Sequence, residues 1–454
     1  MFGRFPDSSL LLKKTLPFII LSLWVTIGLT FYNVFLRPLD EKNTPKRNSV
    51  ATVILAKFST LPCSLLSSSP NQFQDDLSKM PKGNERFKTP LVAKNATSFK
   101  ACGAQNLGMD EQLWENFAQP GDKTALLTAI ARSLEYLQSP AATKAYQGYR
   151  VPAITRDRIF RSLIRFRQLV QQSQSSAELE AAVKREFSFY QSVGKDGWGN
   201  VLFTAYYEPV YAASRVPTKE YRYPLYRRPA DFSSWSKPHP TREQLEGKDG
   251  LQSSKGKLKG LELFWLRDRL EAYMAHIQGS ARLVLPDGSQ TTVGYDDNTA
   301  YNYTSIGRSL ADDGKLPLQG LTMPKILDYF EKHPAELNIY IPRDKSFVFF
   351  RETYGEPATG SLSEPLTASR SIATDKSLMP PGALALIHTS IPFKQANGKM
   401  EFRTISRYVL DQDRGGAIQG PSRVDYFLGT GTEAGERAGV TVSHGQLYYL
   451  LLKK

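Results

Sequence analysis

The chain has 454 residues, of which 41% are hydrophobic and 22% are charged, and its formal net charge is +14. The length allows two or three domains. The balance of hydrophobic and charged residues is typical of a folded protein and excludes an intrinsically disordered one. The positive charge favours an anionic partner, such as nucleic acid, an anionic membrane or a carboxylate-bearing cell wall, without choosing among them.

An uncharged apolar run lies near the N-terminus, from Thr15 to Leu36. About 20 such residues suffice to span a bilayer as a helix. Lysines precede the run and no small-x-small cleavage site follows it, so we expect an uncleaved signal-anchor rather than a removed signal peptide. A proline directly before Cys63 does not fit a lipoprotein cleavage box, and lipidation is therefore not predicted.

The segment that follows the run carries the two cysteines, Cys63 and Cys102. They are too few for a disulfide framework and form no Cys-x-x-Cys motif, so a single bridge and two free thiols both stay open. Residues 37–105 have no sustained apolar period and contain a Ser-Ser-Ser-Pro stretch, which predicts a linker.

Helical and then β patterns follow along the chain. Residues 126–137 and 159–170 each present an apolar face at helical spacing, and Ser175–Glu178 predicts the start of a third helix. Asp287-Gly288 lies between two β-prone runs and predicts a hairpin. Further strands are predicted at 201–203, 347–350, 383–387, 408–410 and 448–451.

Several familiar kinds of site are absent from the sequence. Its five histidines are far apart, and none forms a zinc pair at helical spacing. The chain has no Gly-x-Ser-x-Gly motif and no phosphate-binding P-loop. We therefore predict no metal and no organic cofactor, and no motif supports nucleic-acid binding.

One segment near the C-terminus, residues 411–431, carries a candidate acid. On a strand, Arg423, Asp425 and Phe427 would share one face. Aromatic neighbours desolvate a carboxylate, which keeps it protonated near neutral pH, as a general acid requires. An Arg423–Asp425 ion pair that holds a turn accounts for the same spacing, and spacing alone leaves both interpretations open.

Ten segments of the chain together resemble the membrane-bound lytic murein transglycosylase A family, from about residue 110 to the end. They are FTAYYEP (203–209), YRYPLYRRP (221–229), FWLRD (264–268), HIQGSARLVLPDG (276–288), YTSIGR (303–308), FVFFRE (347–352), LTASRSIATD (366–375), QDRGGAIQG (412–420), RVDYFLGTG (423–431) and EAGERAG (433–439). Each segment alone is weakly specific, and their order makes the resemblance specific. Ala205 and Ala281 depart from it, because glycine is usual at both positions.

The resemblance implies a mainly β fold with N-terminal helices: a double-psi β-barrel of the barwin and endoglucanase type plus an inserted β-rich domain. A groove between the two would hold a glycan. The predicted organisation is residues 1–14 as a cytoplasmic or signal n-region, 15–36 as the transmembrane anchor or signal, 37–105 as the linker, 106–208 as a helical lead-in and the first part of the barrel, 209–340 as the inserted domain, and 341–454 as the C-terminal part of the barrel.

The resemblance also implies site residues and an activity. Asp425 matches the family's catalytic aspartate, and Asp375 and Asp413 match the other two positions that name the three-aspartate domain. The expected supporting or substrate-binding residues are Asp413, Asp375, Thr204, Tyr206, Tyr207, Glu208, Gln278, Ser280, Arg282, Arg308 and Gly416. The implied reaction is cleavage of peptidoglycan glycan strands without water, by an enzyme that is anchored to the membrane and faces the periplasm.

Two other functions stay open at this point. A hydrolase of the same barrel would use Asp413 and Asp425 as a pair of carboxyl groups and add water to the glycosidic bond. A cell-wall-binding protein would need neither group for catalysis. The complete set of ten segments favours the transglycosylase.

Overall fold

The computed structural model describes residues 89–94, 106–114, 121–252 and 256–454. The predicted anchor at 15–36, most of the predicted linker and both cysteines lie outside the described residues. Among the helices of the described ranges, none is both long enough and apolar enough to cross a membrane.

The helices of the described ranges lie mostly before the barrel strands or beside the second sheet. They are α1 (Lys123–Gln138), α2 (Pro140–Tyr146), α3 (Arg156–Gln172), α4 (Ser176–Glu186), α5 (Arg242–Glu246), α6 (Arg269–Gln278), α7 (Ile306–Asp312), α8 (Met323–Lys332), α9 (Leu337–Tyr340) and α10 (Thr432–Val440).

The strands form two sheets. They are β1 (Leu91–Lys94), β2 (Phe187–Ser192), β3 (Val201–Glu208), β4 (Val210–Ser214), β5 (Tyr223–Tyr226), β6 (Glu262–Leu266), β7 (Ser280–Val284), β8 (Gln290–Asn298), β9 (Val348–Glu352), β10 (Ser371–Ala373), β11 (Leu384–Lys394), β12 (Met400–Asp413), β13 (Arg423–Thr430) and β14 (Val442–Leu452).

The first sheet closes into a six-stranded barrel. Its strands follow the order β14-β11-β12-β10-β13-β3, and β3 pairs back onto β14. β10 runs parallel to β12 and β13 runs parallel to β3, whereas the other neighbours in the ring are antiparallel. Closure pairs the ring strands on both sides, so the barrel has no open edge. β2 and β1 extend the sheet outward from β14.

Helices α1 and α3 cover part of the barrel with apolar faces. α3 begins after Thr155, whose hydroxyl accepts a 3.2 Å hydrogen bond from the amide of Arg158 and so satisfies a donor of the first turn. Further along the helix, Phe166 is fully buried and its ring centre lies 4.9 Å from that of Tyr408 on β12. Burying one such side chain contributes about 1.5–3 kcal/mol. This contact therefore helps to hold α3 on the barrel.

The second sheet has the strand order β5-β6-β4-β7-β8-β9. The predicted hairpin is confirmed, because β7 and β8 are antiparallel with Val284 opposite Gln290. Gly288 in the connecting turn has a φ of 81°, which glycine adopts without steric cost. Within this sheet, Leu225, Phe264, Leu283 and Phe350 belong to one buried cluster.

The last strand of the second sheet corrects the expected division at residue 340. β9 pairs with β8, with Phe350 opposite Tyr295, although residues 341–454 were expected to continue the barrel. The apolar strand pattern around Phe349 is the same for either sheet, because local sequence does not encode the pairing partner of a strand. The second sheet therefore extends to Glu352.

Candidate active site

The parallel pairing of β3 and β13 creates the centre of the candidate site. Their register sets Asp425 opposite Thr204, and the Thr204 hydroxyl donates a 2.8 Å hydrogen bond to Oδ1 of Asp425. Arg423 donates to the same Thr204 hydroxyl over 3.3 Å. Oδ2 of Asp425 accepts no hydrogen bond from the residues that the structure describes. This second oxygen can therefore exchange a proton with a ligand.

The surroundings of Asp425 favour its protonated form. Desolvation raises the pKa of Asp425 to about 6, and the nearby charge of Asp413 adds to the rise. The hydrogen bond from Thr204 and the positive charge of Arg423 oppose it. At a pH near 6 about half of the molecules would hold the proton, so the group can both give and take one near neutral pH.

Asp413 lies at the end of β12 and has partners on both oxygens. Its Oδ2 accepts a 2.7 Å hydrogen bond from the Tyr206 hydroxyl. Its Oδ1 accepts from the amides of Ser361 and Arg414, both over 2.8 Å. Burial raises the pKa of Asp413 as well. These bonds fix the carboxyl group of Asp413 in one orientation beside Asp425.

A cavity of about 950 Å³ opens beside these strands. Thr204, Arg423, Gln278 and Gln419 contribute polar side chains to its lining. Asp425 is only partly buried and is not a lining residue. Thr204 and Arg423 do line the cavity, so a ligand in it lies next to the hydroxyl that bonds to Asp425 and to the guanidinium whose charge acts on it.

Helix α6 brings the second sheet's side of the molecule to the barrel. The side-chain oxygen of Gln278 accepts a 3.1 Å hydrogen bond from the amide of Tyr207 on β3. Glu271, Met274 and Gln278 share one face of α6 and line the cavity. Burial raises the pKa of Glu271 to about 7, and the charge of Asp268 adds to the rise. Sequence analysis missed Glu271, although its helical spacing from Gln278 could have indicated it.

The structure brings several of the predicted site residues together. Those that line the cavity are Thr204, Tyr207, Gln278, Arg308 and Gly416. Tyr206 lies behind them, where its hydroxyl reaches Asp413 and its ring centre lies 5.2 Å from that of Phe427.

Three predicted residues have other surroundings, and their expected supporting or substrate-binding role stays a prediction. Glu208 is 1% exposed, and its Oε2 accepts a 2.8 Å hydrogen bond from Thr430 and lies 3.5 Å from the Arg282 guanidinium. Ser280 is buried opposite Gly294 in the second sheet. None of the three lines the cavity. Glu208 shares its side of β3 with Thr204 and Tyr206, but it lies at the end of the strand, opposite Thr430.

Asp375 supports the site from a distance. Its Oδ1 accepts from the amide and the hydroxyl of Ser377, and its Oδ2 accepts a 2.8 Å hydrogen bond from the amide of Gly420. Gly416, Ala417 and Gln419 of the loop before Gly420 line the cavity. Asp375 therefore holds one end of a loop that shapes the cavity.

The two alanines that replace usual glycines have different surroundings. Ala205 lines the cavity, so its methyl group occupies space there. Ala281 is fully buried opposite Val293 in the second sheet. Of the two, only Ala205 can narrow the cavity directly. Within the described ranges, no cluster of three or more His, Cys, Asp or Glu side chains is suited to hold a metal ion.

Comparison with known proteins agrees with this arrangement. Residues 202–351 match the family model of the MltA specific insert domain, and residues 370–451 match that of the 3D domain. The membrane-bound lytic murein transglycosylase A of Escherichia coli (strain K12) is 32% identical over 263 residues, which are 58% of this chain and 68% of that protein. The chain belongs to the membrane-bound lytic murein transglycosylase A family. The Vibrio cholerae member is 29% identical over 57% of this chain and 68% of its own length.

Solved structures of this family share the fold. A membrane-bound lytic murein transglycosylase from Agrobacterium tumefaciens is 27% identical with a TM-score of 0.57, over 73% of this chain and 93% of that one. The Escherichia coli family member with bound chitohexaose is 23% identical with a TM-score of 0.59, over 83% of this chain and 98% of that one. The six-stranded barrel with a second β-rich region is thus the family's fold.

Proposed function

We propose that the chain is a lytic transglycosylase that cleaves the β-1,4 bond between N-acetylmuramic acid and N-acetylglucosamine in peptidoglycan and leaves a 1,6-anhydromuramic acid end. The observation that carries this proposal is the state of Asp425. Its pKa of about 6 and its second carboxyl oxygen suit a group that first gives and then takes a proton. Family membership supports the same activity.

The reaction needs one acid and no added water. Protonated Asp425 donates its proton to the glycosidic oxygen, and the bond to C1 of the muramyl sugar breaks. Ionised Asp425 then takes the proton of that sugar's own 6-hydroxyl, whose oxygen bonds to C1 and closes the anhydro ring. Because the nucleophile belongs to the same sugar, its high effective concentration replaces an activated water molecule.

The environment of Asp413 argues against a hydrolase with two carboxyl groups. A carboxylate has about four lone-pair sites, and three of those on Asp413 are in use, whereas Asp425 uses one. Both oxygens of Asp413 already accept hydrogen bonds from Tyr206, Ser361 and Arg414. Asp413 in our proposal instead raises the pKa of Asp425 by its charge, and Tyr206 holds it in place.

Other residues have supporting roles in this proposal. Thr204 and Arg423 orient Asp425 and contact the sugar next to the bond that breaks. Tyr207, Gln278, Arg308 and Gly416 bind the strand along the cavity. Asp375 shapes the loop that carries Gly416.

The proposal extends to architecture and location. The parallel pairs β10–β12 and β13–β3 support a double-psi type of barrel. We propose an inserted domain that begins at residue 209 and ends after β9, and not at residue 340. We also propose that residues 15–36 anchor the enzyme in a membrane so that it faces the periplasm, as the uncharged run indicates.

Mass spectrometry of the products tests the activity. Purified peptidoglycan is incubated with the full chain, with Asp425→Asn, and with Asp157→Asn on α3 as a matched control, because Asp157 is exposed and does not line the cavity. We expect anhydro products, lighter by one water than hydrolysis products, from the wild type and the control but not from Asp425→Asn. Reducing-end products would indicate the hydrolase, and retained wall binding without products would indicate a binding protein.

A further inference from the structure

The cavity has a second side whose chemistry differs from that of the polar side near Asp425. Helices α7 and α8 and the segment between them form this side. We call it the apolar wall, and it consists of Leu318, Leu321, Met323 and Leu327, all of which line the cavity. Arg308 of α7 also lines the cavity and provides a positive charge.

The fold buries the apolar wall only in part. Leu321 and Met323 pack against the buried cluster of this region, and all four side chains keep some exposed surface. On α8, Ile326 and Phe330 are 7% and 1% exposed and pack into the core of this region. Leu327, the neighbour of Ile326, is 39% exposed. Leu318, Leu321 and Met323 are also only partly buried. An exposed cluster of large apolar side chains inside a cavity is typical of a ligand-binding surface.

The apolar wall and Thr204, which donates a hydrogen bond to Asp425, line the same cavity. Pro324 of α8 packs against α10, where a methyl group added to Gly439 would lie 3.2 Å from the Pro324 ring. Just after α10, Val442 of β14 lies opposite Thr204, the residue that hydrogen-bonds to Asp425. A glycan strand in this cavity therefore lies beside both the hydroxyl that bonds to Asp425 and the apolar wall.

The sugar rings of a glycan fit such a wall poorly. Hydroxyl groups surround the rings, and a hydroxyl that is desolvated against leucine and methionine without a partner costs free energy. Peptidoglycan also carries methyl groups, on the acetamido group of each sugar, on the lactyl ether of muramic acid and on the alanine that begins the peptide stem. Of these methyl groups, only the last two belong to a chain that continues to carboxylates. These groups can displace water from the wall at no such cost.

Arg308 provides a positive charge beside the apolar wall that can bind a carboxylate. Its Nε donates a 2.7 Å hydrogen bond to Asp312, and its other guanidinium nitrogens donate to none of the described residues. Guanidinium groups bind carboxylates well, and a peptide stem carries carboxylates beyond its first alanine. The methyl groups of the stem thus match the apolar wall, and its carboxylates match Arg308.

We propose that the apolar wall and Arg308 bind the lactyl-peptide stem of the muramyl sugar, so that the enzyme prefers strands that carry stems. This inference rests on the proposed function, because it takes peptidoglycan as the substrate. It assigns to the cavity a second specificity besides that for the glycan.

A competition between two forms of one substrate tests this inference. Glycan strands are used either with their stems or after an amidase has removed the stems, and kcat/KM is measured for each. The selectivity is the ratio of the two values. Wild-type enzyme should favour stem-bearing strands. Leu327→Asp should lower the selectivity about fourfold, because the amidase leaves the lactyl methyl on both substrates and the contact of about one alanine methyl is lost. Arg308→Gln should lower it as well.

The control is Ile339→Asp on α9, because Ile339 is 53% exposed and does not line the cavity. This change should leave the selectivity at the wild-type value. Equal losses on both substrates for Leu327→Asp, or a wild-type enzyme without selectivity, would overturn the inference. Failure of the proposed function is a separate outcome, since the wild type would then release no anhydro products from either substrate.

Discussion

The barrel holds buried or partly buried carboxyl groups in two contrasting regions. On the side that α1 covers, Asp110 is fully buried and accepts hydrogen bonds from Arg370, over 2.5 Å, and from the amide of Tyr408. Arg370 is fully buried too, and it also bonds to Asp122. At the other region, Asp425 has one hydroxyl donor and a positive charge nearby. The first region neutralises its charges, whereas the second leaves a carboxyl group poorly compensated.

The contrast separates carboxyl groups that stabilise the fold from one that can react. A buried ion pair with every oxygen satisfied resists a change of protonation. A desolvated carboxyl group with an unused oxygen holds its proton more readily and can pass it to a ligand. The number of partners around each oxygen distinguishes the two regions better than burial does.

The largest expected effect comes from breaking the buried ion pair of Arg370 with Asp110, which we call the paired region. Arg370→Met leaves Asp110 buried without its cationic partner, and we expect a loss of about 3–5 kcal/mol in the free energy of unfolding. Urea denaturation of the two proteins measures it. Arg403→Met is the control, because Arg403 pairs with Glu401 at the surface and its loss should matter little. Similar stabilities of Arg370→Met and the wild type would contradict the assigned role of this pair.

The second prediction concerns Asp425, whose replacement should stabilise the folded protein instead of destabilising it. A carboxyl group whose pKa rises from 3.8 to about 6 on folding favours the folded state below pH 3.8, and this contribution is lost as the pH rises through 6. Asp425→Asn carries no charge to desolvate, so above pH 6 it should be more stable than the wild type, by at most about 3 kcal/mol.

Unfolding free energies of both proteins between pH 4 and pH 8 test this sign. The free energy of unfolding of Asp425→Asn minus that of the wild type should be small near pH 4, should grow with pH, and should become constant above about pH 6. A variant that is less stable than the wild type at pH 8 would show that the Asp425 carboxylate is well compensated in the folded protein. The comparison between the two regions would then fail.

The third prediction changes the charges around Asp425. Because the proposed reaction begins with protonated Asp425, kcat/KM should fall as the pH rises above about 6. Arg423 lowers the pKa of Asp425 and Asp413 raises it. The fall should therefore move to higher pH in Arg423→Gln and to lower pH in Asp413→Asn.

Opposite shifts of these pH profiles are the deciding observation, since general damage to the site lowers kcat/KM without moving its pH dependence. Ser361→Ala is a useful companion to Asp413→Asn, because Ser361 contacts Asp413 through its backbone amide and the bond should persist. Its profile should coincide with that of the wild type. Shifts in the same direction for Arg423→Gln and Asp413→Asn would contradict the electrostatic assignment.

Local sequence patterns predicted some of these features and could not predict others. Alternation placed Arg423 and Asp425 on one face of a strand, and the Asp287-Gly288 turn lies where its residues indicated. The bond from Thr204 to Asp425 joins residues 221 positions apart, and only the family resemblance brought both into the predicted site. The second-sheet position of β9 was missed because either sheet accepts the same apolar strand.

Sequence analysis could not predict the paired region either, because its residues meet only through tertiary contacts. Arg370 and Asp110 are 260 positions apart, and each lies among residues that show no charge pattern. Glu208 and Arg282 were expected to support the site or bind substrate because they lie in family segments, and the structure pairs them with each other. Motifs identify which residues belong together in the fold, whereas the direction of each side chain depends on strand alternation and tertiary contacts.

The smallest expected effect concerns the third aspartate of the domain. Asp375 has partners on both oxygens and lies outside the cavity lining, so it resembles the paired region more than it resembles Asp425. Asp375→Asn keeps the shape of the side chain but weakens bonds to the amides of Ser377 and Gly420, which should cost about 1 kcal/mol of stability. Its kcat/KM should fall by less than about tenfold, through the loop that carries Gly416, with no change in the pH profile. A loss as large as that of Asp425→Asn, or a shifted pH profile, would place Asp375 among the groups that act on the proton.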